Sequence, residues 1–187
     1  MTKPKIIVIP GSMRTGSHNA RLADVISNKL NELGADAQAI TLANYPMPIL
    51  NQDDEAEASA PENALKLAAL IADHQGVVLV NPEYNGSFTG LMKNTLEWLS
   101  RDVGVKLYQN RVFALAACSP GMLGGIRVLS HARDNLVSVG ADMITTQLAV
   151  GGAANAFGDD GTLTNERAAG LLQNLCEKLI DRARTYI

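Results

Sequence analysis

The chain has 187 residues, 47% of them hydrophobic and 19% charged, with a formal net charge of -3 and an isoelectric point of about 5.6. These values describe an ordinary globular chain, long enough for one domain with a substantial core (residues 1–187) and too short for two full ones. Lys and Arg are dispersed, which excludes a patch for nucleic acid or an anionic membrane, and no apolar run approaches the about 20 residues of a spanning helix.

The N-terminus also lacks a signal-peptide core, so the expected setting is the cytoplasm. Two cysteines, Cys118 and Cys176, fit a reducing compartment and are expected as free thiols. The three histidines, His18, His74 and His131, have no partner at ligand spacing, and no metal site is expected.

Lys5–Pro10 reads as a first strand, ending in the loop GSMRTGSHN. A helix over 18–33 repeats Leu22, Ile26, Leu30 and Leu33 on one face, and Gly34 is a natural stop. Residues 36–42 alternate as a partly exposed edge strand would. Residues 43–62 lose all period, with Tyr45-Pro-Met-Pro followed by the acidic Gln52-Asp-Asp-Glu-Ala-Glu; a loop of that length is expected as a lid, an interface or a surface excursion. A short helix follows to about Asp73, with Leu65, Ala68, Ala69 and Ala72 expected inward.

Residues 76–81 (GVVLVN) read as a central strand, and a helix over 89–100 carries Leu91, Leu96 and Leu99 on one side. Trp98 on that helix is expected at its surface or at a subunit contact. Residues 111–118 form another buried strand, 126–139 a helix, and Asp142–Val150 a last strand of mixed polarity. A glycine-rich loop leads to a closing helix over 164–184 with Leu171, Leu172, Leu175, Leu179 and Ile180 inward. Strands alternating with helices predict a three-layer α/β sandwich, and an edge-like second strand favours the parallel order 2-1-3-4-5 of the flavodoxin-like fold.

In that order the loops after strands one, three and four meet at the carboxyl edge of the sheet. The first has the spacing G-x-x-x-x-G, but Ser17-His18 stand where a triphosphate loop needs Lys and Ser or Thr, and G-x-G-x-x-G is missing. What remains is a hydroxyl-rich loop before a helix N-terminus, suited to one terminal phosphate, with Ser12, Arg14, Ser17 and Asn19 as donors. Ser12 and Ser17 serve equally well as caps of a turn and a helix. The second loop, NPEYNGSFTG, and the third, SPGMLGG, offer backbone groups, and Gly86, Gly121, Gly124 and Gly125 permit close approach to a flat ring. The three together point to a planar, monophosphorylated ligand, for which FMN is the candidate.

The segments GSMRTGSHN, PEYNGSFTGLMKNTLEWLSR and SPGMLGGIR, with the later AFGDDGTLTNE, resemble the NADPH-dependent FMN reductase family, the flavodoxin-like group that includes bacterial quinone, chromate and azo-dye reductases. The resemblance implies that Ser12, Arg14, Ser17 and Asn19 bind the FMN phosphate. It places Pro82, Glu83, Tyr84, Asn85 and Gly86 along the isoalloxazine, mostly through backbone, and Ser119, Gly121, Gly124 and Gly125 on the other flank. Arg127 would lie at a subunit boundary or substrate entrance, and Phe88 supports no substrate inference.

The resemblance further implies hydride transfer from NADPH or NADH through FMN to a quinone or similar small acceptor, with no side chain acting as nucleophile. Glu83 and Tyr84 are candidate proton donors, with ring packing the favoured role for Tyr84. The alternatives are a flavin reductase that releases reduced FMN to a partner and a flavodoxin-type electron carrier. A homodimer or homotetramer is expected, with residues 45–50 and the helix carrying Trp98 as candidate contacts.

Overall fold

The computed structural model describes residues 2–53, 60–101 and 104–187. Five parallel strands, β1 (Lys5–Pro10), β2 (Asp36–Ala39), β3 (Gly76–Val80), β4 (Val112–Cys118) and β5 (Asp142–Val150), lie in the order β2-β1-β3-β4-β5. This is the expected flavodoxin-like sheet. The second strand is shorter than its alternation suggests, because after Ala39 the chain turns into a 3-10 segment, Leu42–Asn44, and Leu42 becomes a core residue.

Beside the sheet lie α1 (His18–Glu32), α2 (Glu62–Ala72), α3 (Gly90–Leu99), a one-turn α4 (Lys106–Gln109) that the sequence reading did not anticipate, α5 (Ile126–Ser138) and α6 (Glu166–Ala183). The pleat sorts alternate residues of the buried strands to the two faces. Ile6, Val8, Val78, Val80, Ala114 and Ala116 pack with α1 and α6. Ile7, Ile9, Val77, Leu79, Phe113 and Leu115 pack with α2, α3 and α5. The central strands β1, β3 and β4 are therefore apolar at nearly every position, whereas the edge strands β2 and β5 are not.

Three expectations about packing need correction. In α2 the buried residues are Ala64, Leu67, Ala68 and Ile71, while Leu65 is 41% exposed; a segment as apolar as KLAALIA has no polar side to mark its orientation. Leu171 of α6 is likewise exposed rather than inward. Trp98 is buried, only 4% exposed. Its indole Nε1 donates to the Pro48 carbonyl at 2.8 Å, and it packs against Ala60 and Ala64.

Asn94, one turn earlier on α3, completes that strap: its Nδ2 donates to the same Pro48 oxygen and its Oδ1 accepts from the Leu50 N–H. The Pro-rich segment and the helix carrying Trp98, expected as subunit contacts, thus contact each other. The acidic stretch of the same loop falls largely on residues 54–59, outside the described residues.

Candidate active site

At the carboxyl edge the strand ends are joined crosswise. The Gly11 N–H donates to the Val80 carbonyl, Asn81 N–H to Ala116, and Ser119 N–H to Val150. Thr89, the N-cap of α3, donates its hydroxyl to the Gly11 carbonyl at 2.9 Å while accepting from the Met92 N–H. The loops after β1, β3 and β4 are thereby brought side by side around a cleft of about 230 Å³. Of the residues singled out from the sequence, Ser12, Arg14, Ser17, Asn19, Pro82, Glu83, Tyr84 and Ser119 line it.

The first loop, 11–17, is built mostly from its own groups. Ser12 Oγ accepts from the Arg14 N–H, and the Arg14 guanidinium donates to the carbonyls of Thr15 and Gly16. Ser17 caps α1, its Oγ accepting from the Ala20 N–H. Both serines act here as acceptors, so each hydroxyl hydrogen can still be donated into the cleft. The N–H groups of His18 and Asn19 precede the first intrahelical bond and carry the positive end of the helix dipole.

Asn19 has a further job. Its Nδ2 donates to the Cys118 carbonyl and its Oδ1 accepts from the Cys118 N–H, both at 2.9 Å, so this buried amide continues the end of β4 into α1. One Nδ2 hydrogen remains for a ligand.

The second loop reverses direction at Asn85-Gly86. Tyr84 and Ser87 exchange both backbone hydrogen bonds, and the two residues between them have φ values of +52° and +80°, the left-handed pair that a tight two-residue turn of type I′ requires. Asn85 and Gly86 therefore shape the loop without lining the cleft. Tyr84 is 59% exposed at the mouth.

Glu83 turns away from solvent and supplies the cap that α5 lacks, since its own N-cap residue is Gly125. Glu83 Oε2 accepts from the N–H groups of Arg127 and Val128 at 3.0 and 3.2 Å, and Oε1 accepts from Arg127 Nε at 2.9 Å. Burial acts to raise the Glu83 pKa, but the hydrogen bonds from Val128 and Arg127 and the Arg127 charge outweigh it, leaving the carboxyl below its ordinary value. A carboxylate held ionised and fully engaged is not a proton donor, which corrects that candidate role. A second link between the same loop and α5 joins Ser87 Oγ to His131 Nδ1 at 3.0 Å.

In the third loop the glycines serve the protein itself. A Cβ at Gly124 would stand 2.7 Å from backbone atoms of Val150 and Gly151, and one at Gly125 would stand 2.8 Å from Ala117 Cβ. The close approach they permit is thus between this loop and the ends of β4 and β5, not toward a ring. Gly121, like Gly124 and Gly125, does not line the cleft, whereas His18, Cys118 and Pro120, not anticipated, do. His18 was legible as the first helical residue after the cap, and Cys118 as the last residue of a strand at the rim. The Cys118 thiol is pushed by burial up to about 12 and is no nucleophile.

Residues 4–155 match the model of the NADPH-dependent FMN reductase family. The chain belongs to that family. It is 32% identical to a quinone reductase of Pseudomonas putida over 186 residues, which cover 97% of this chain and 94% of the relative. Identity is also 32% to a quinone reductase of Escherichia coli K12, across 80% of this chain and 78% of the relative. Among solved structures, FerB, a flavoenzyme NAD(P)H:(acceptor) oxidoreductase from Paracoccus denitrificans, superposes with a TM-score of 0.81 at 27% identity, covering 98% of each chain. The flavodoxin-like fold and the oxidoreductase class thus agree with the architecture of the cleft. Among the described residues no cluster of three or more His, Cys, Asp or Glu could hold a metal ion, and no helix is long and apolar enough to cross a membrane.

Proposed function

We propose that this enzyme is an FMN-dependent NAD(P)H oxidoreductase that passes electrons to quinones or similar small acceptors. The observation that carries the reading is the rim cleft, where a hydroxyl-bearing loop and a helix N-terminus meet two backbone-rich loops at the carboxyl ends of β1, β3 and β4. The residues present fit FMN: donors for a phosphate are gathered at one end, and the other end offers strand-end backbone and no obstructing charge, since Glu83 is engaged with α5.

In this reading Ser12, Arg14 and Ser17 hold the phosphate, and Asn19 fixes the distance between that loop and β4 while lending its free amide hydrogen. Pro82, Glu83 and Tyr84 form the ring-facing wall, shaped by the type I′ turn at Asn85-Gly86. Ser119 and Gly121 border the opposite flank, with Gly124 seating their loop on β5 and Gly125 seating it on β4. The chemistry supplied by bound FMN is acceptance of hydride from a dihydronicotinamide and delivery of electrons onward.

The protein orients both reactants, and its Tyr84 ring stands at the mouth that donor and acceptor use in turn. Exposed Met122, Leu123 and Ile126, which are 91%, 63% and 49% accessible, border the third loop. They support a second copy of the chain as cover for that mouth, in a homodimer or homotetramer. A cytoplasmic setting belongs to the same proposal.

The test is direct. Purified protein titrated with FMN should quench the flavin fluorescence and turn yellow, and anaerobic mixing with NADPH or NADH should bleach it rapidly, with colour restored by a quinone. Protein that stays colourless in excess FMN overturns the reading, and slow bleaching would favour an electron carrier. Loss of flavin on gel filtration would favour release of reduced FMN to a partner.

A further inference from the structure

A second cleft, of about 270 Å³, opens on the far side of the first loop, between the end of β2 and the first turns of α1. It shares Ser12 and Arg14 with the cleft described above, so the loop is the wall between them. Its floor is formed by small residues, Ala20, Ala23 and Ala39, and Met13, 53% exposed, belongs to its lining. Such a floor beside a pliable thioether suits a planar heterocycle.

The polar groups are of a different kind from those of the first cleft. Asp24 stands in this lining, and among the described residues its carboxylate forms no hydrogen bond or ion pair. Thr41 Oγ1 accepts from the Ala43 N–H, which leaves its hydroxyl hydrogen for donation. A carboxylate and a hydroxyl in one lining are the set that recognises vicinal sugar hydroxyls, and Arg14 at the boundary between the clefts supplies a cation for a phosphate. Ring floor, diol acceptor and boundary cation together match the parts of an adenine nucleotide.

We propose that this second cleft seats the adenosine half of the nicotinamide co-substrate, with Asp24 accepting from the ribose hydroxyls. The proposal rests on the reading of the first cleft as the FMN site. It has a consequence for cofactor choice: a 2′-phosphate would face the Asp24 carboxylate, so the enzyme favours NADH over NADPH.

The experiment uses FMN-loaded wild type, Ala20→Leu and Asp24→Asn, mixed anaerobically with NADH, NADPH and N-benzyl-1,4-dihydronicotinamide, a hydride donor without adenosine. Ala20→Leu, which fills the floor, should raise the Kd for NADH about tenfold or more while leaving both the limiting bleaching rate and the benzyl donor unaffected. Asp24→Asn should move the ratio of kcat/KM for NADPH over NADH upward about tenfold. An unchanged NADH Kd in Ala20→Leu, or an unchanged ratio in the near-isosteric Asp24→Asn, overturns the proposal. So does displacement of FMN by adenosine 5′-monophosphate in the wild type, which would place that nucleotide in the first cleft. Wild-type protein bleached by no donor, the benzyl compound included, overturns the underlying FMN reading instead, and the two failures are thereby distinguished.

Discussion

The first rim loop and the two that face it are held in place by different means. Beyond Gly11, which is tied to Val80 and Thr89, the first loop is shaped by contacts between near neighbours: Ser12 to Arg14, Arg14 to Thr15 and Gly16, and Ser17 to Ala20. Loop 82–87 is fixed through Glu83 and Ser87 to residues 44 or 45 positions away on α5, and loop 119–125 by the fit of Gly124 against the end of β5. The difference separates binding from folding. Changes in the first loop should alter ligand affinity with little cost in stability, and changes in the other two should destabilise the fold.

The sharpest way to break this contrast is Gly124→Ala. The new Cβ would meet backbone, which cannot swing aside, at a residue with φ of +63°, and a loss of about 3 kcal/mol or more is expected in denaturant unfolding. Near wild-type stability would mean that the third loop is not seated on β5 as described. Glu83→Ala comes next. It removes the side-chain cap that α5 receives from outside the helix, and thermal or chemical unfolding should register about 1–2 kcal/mol.

The same carboxylate gives a pH signature. Because Glu83 titrates lower in the fold than in the unfolded chain, its contribution is complete above the ordinary value of 4.5 and is lost as pH falls through the lower folded value. The stability gap between wild type and Glu83→Gln should therefore be constant at neutral pH and close in acid. A gap that widened on acidification would reverse the assignment.

Arg14→Ala tests the other side of the contrast. Unfolding should shift by no more than about 0.5 kcal/mol, while FMN affinity in a fluorescence titration should fall about tenfold or more. Ser12→Ala is the mildest case, with a fall in affinity of about fivefold and no resolvable change in stability. A large stability loss in either variant would erase the distinction between the loops.

The sequence by itself determined the place of each strand, apart from the early end of β2, and the three loops that converge on the rim, because these rest on local signals: apolar runs, Gly and Pro breaks, and a cap residue before a helix; the strand order followed from the edge-like pattern of β2 and right-handed crossovers. It also brought Ser12, Arg14 and Ser17 into view, since their contacts lie within a few residues. Tertiary structure alone decided what Glu83, Asn19 and Trp98 do. Glu83 finds its partners on α5, Asn19 at the end of β4, 99 residues away, and Trp98 at a carbonyl 50 residues earlier. The faces of α2 were undecidable for a related reason, an apolar helix with no polar side. Side-chain spacing reports which residues share a face of their own element, but the hydrogen-bond partner of a buried polar group is chosen by whatever the folded chain brings beside it.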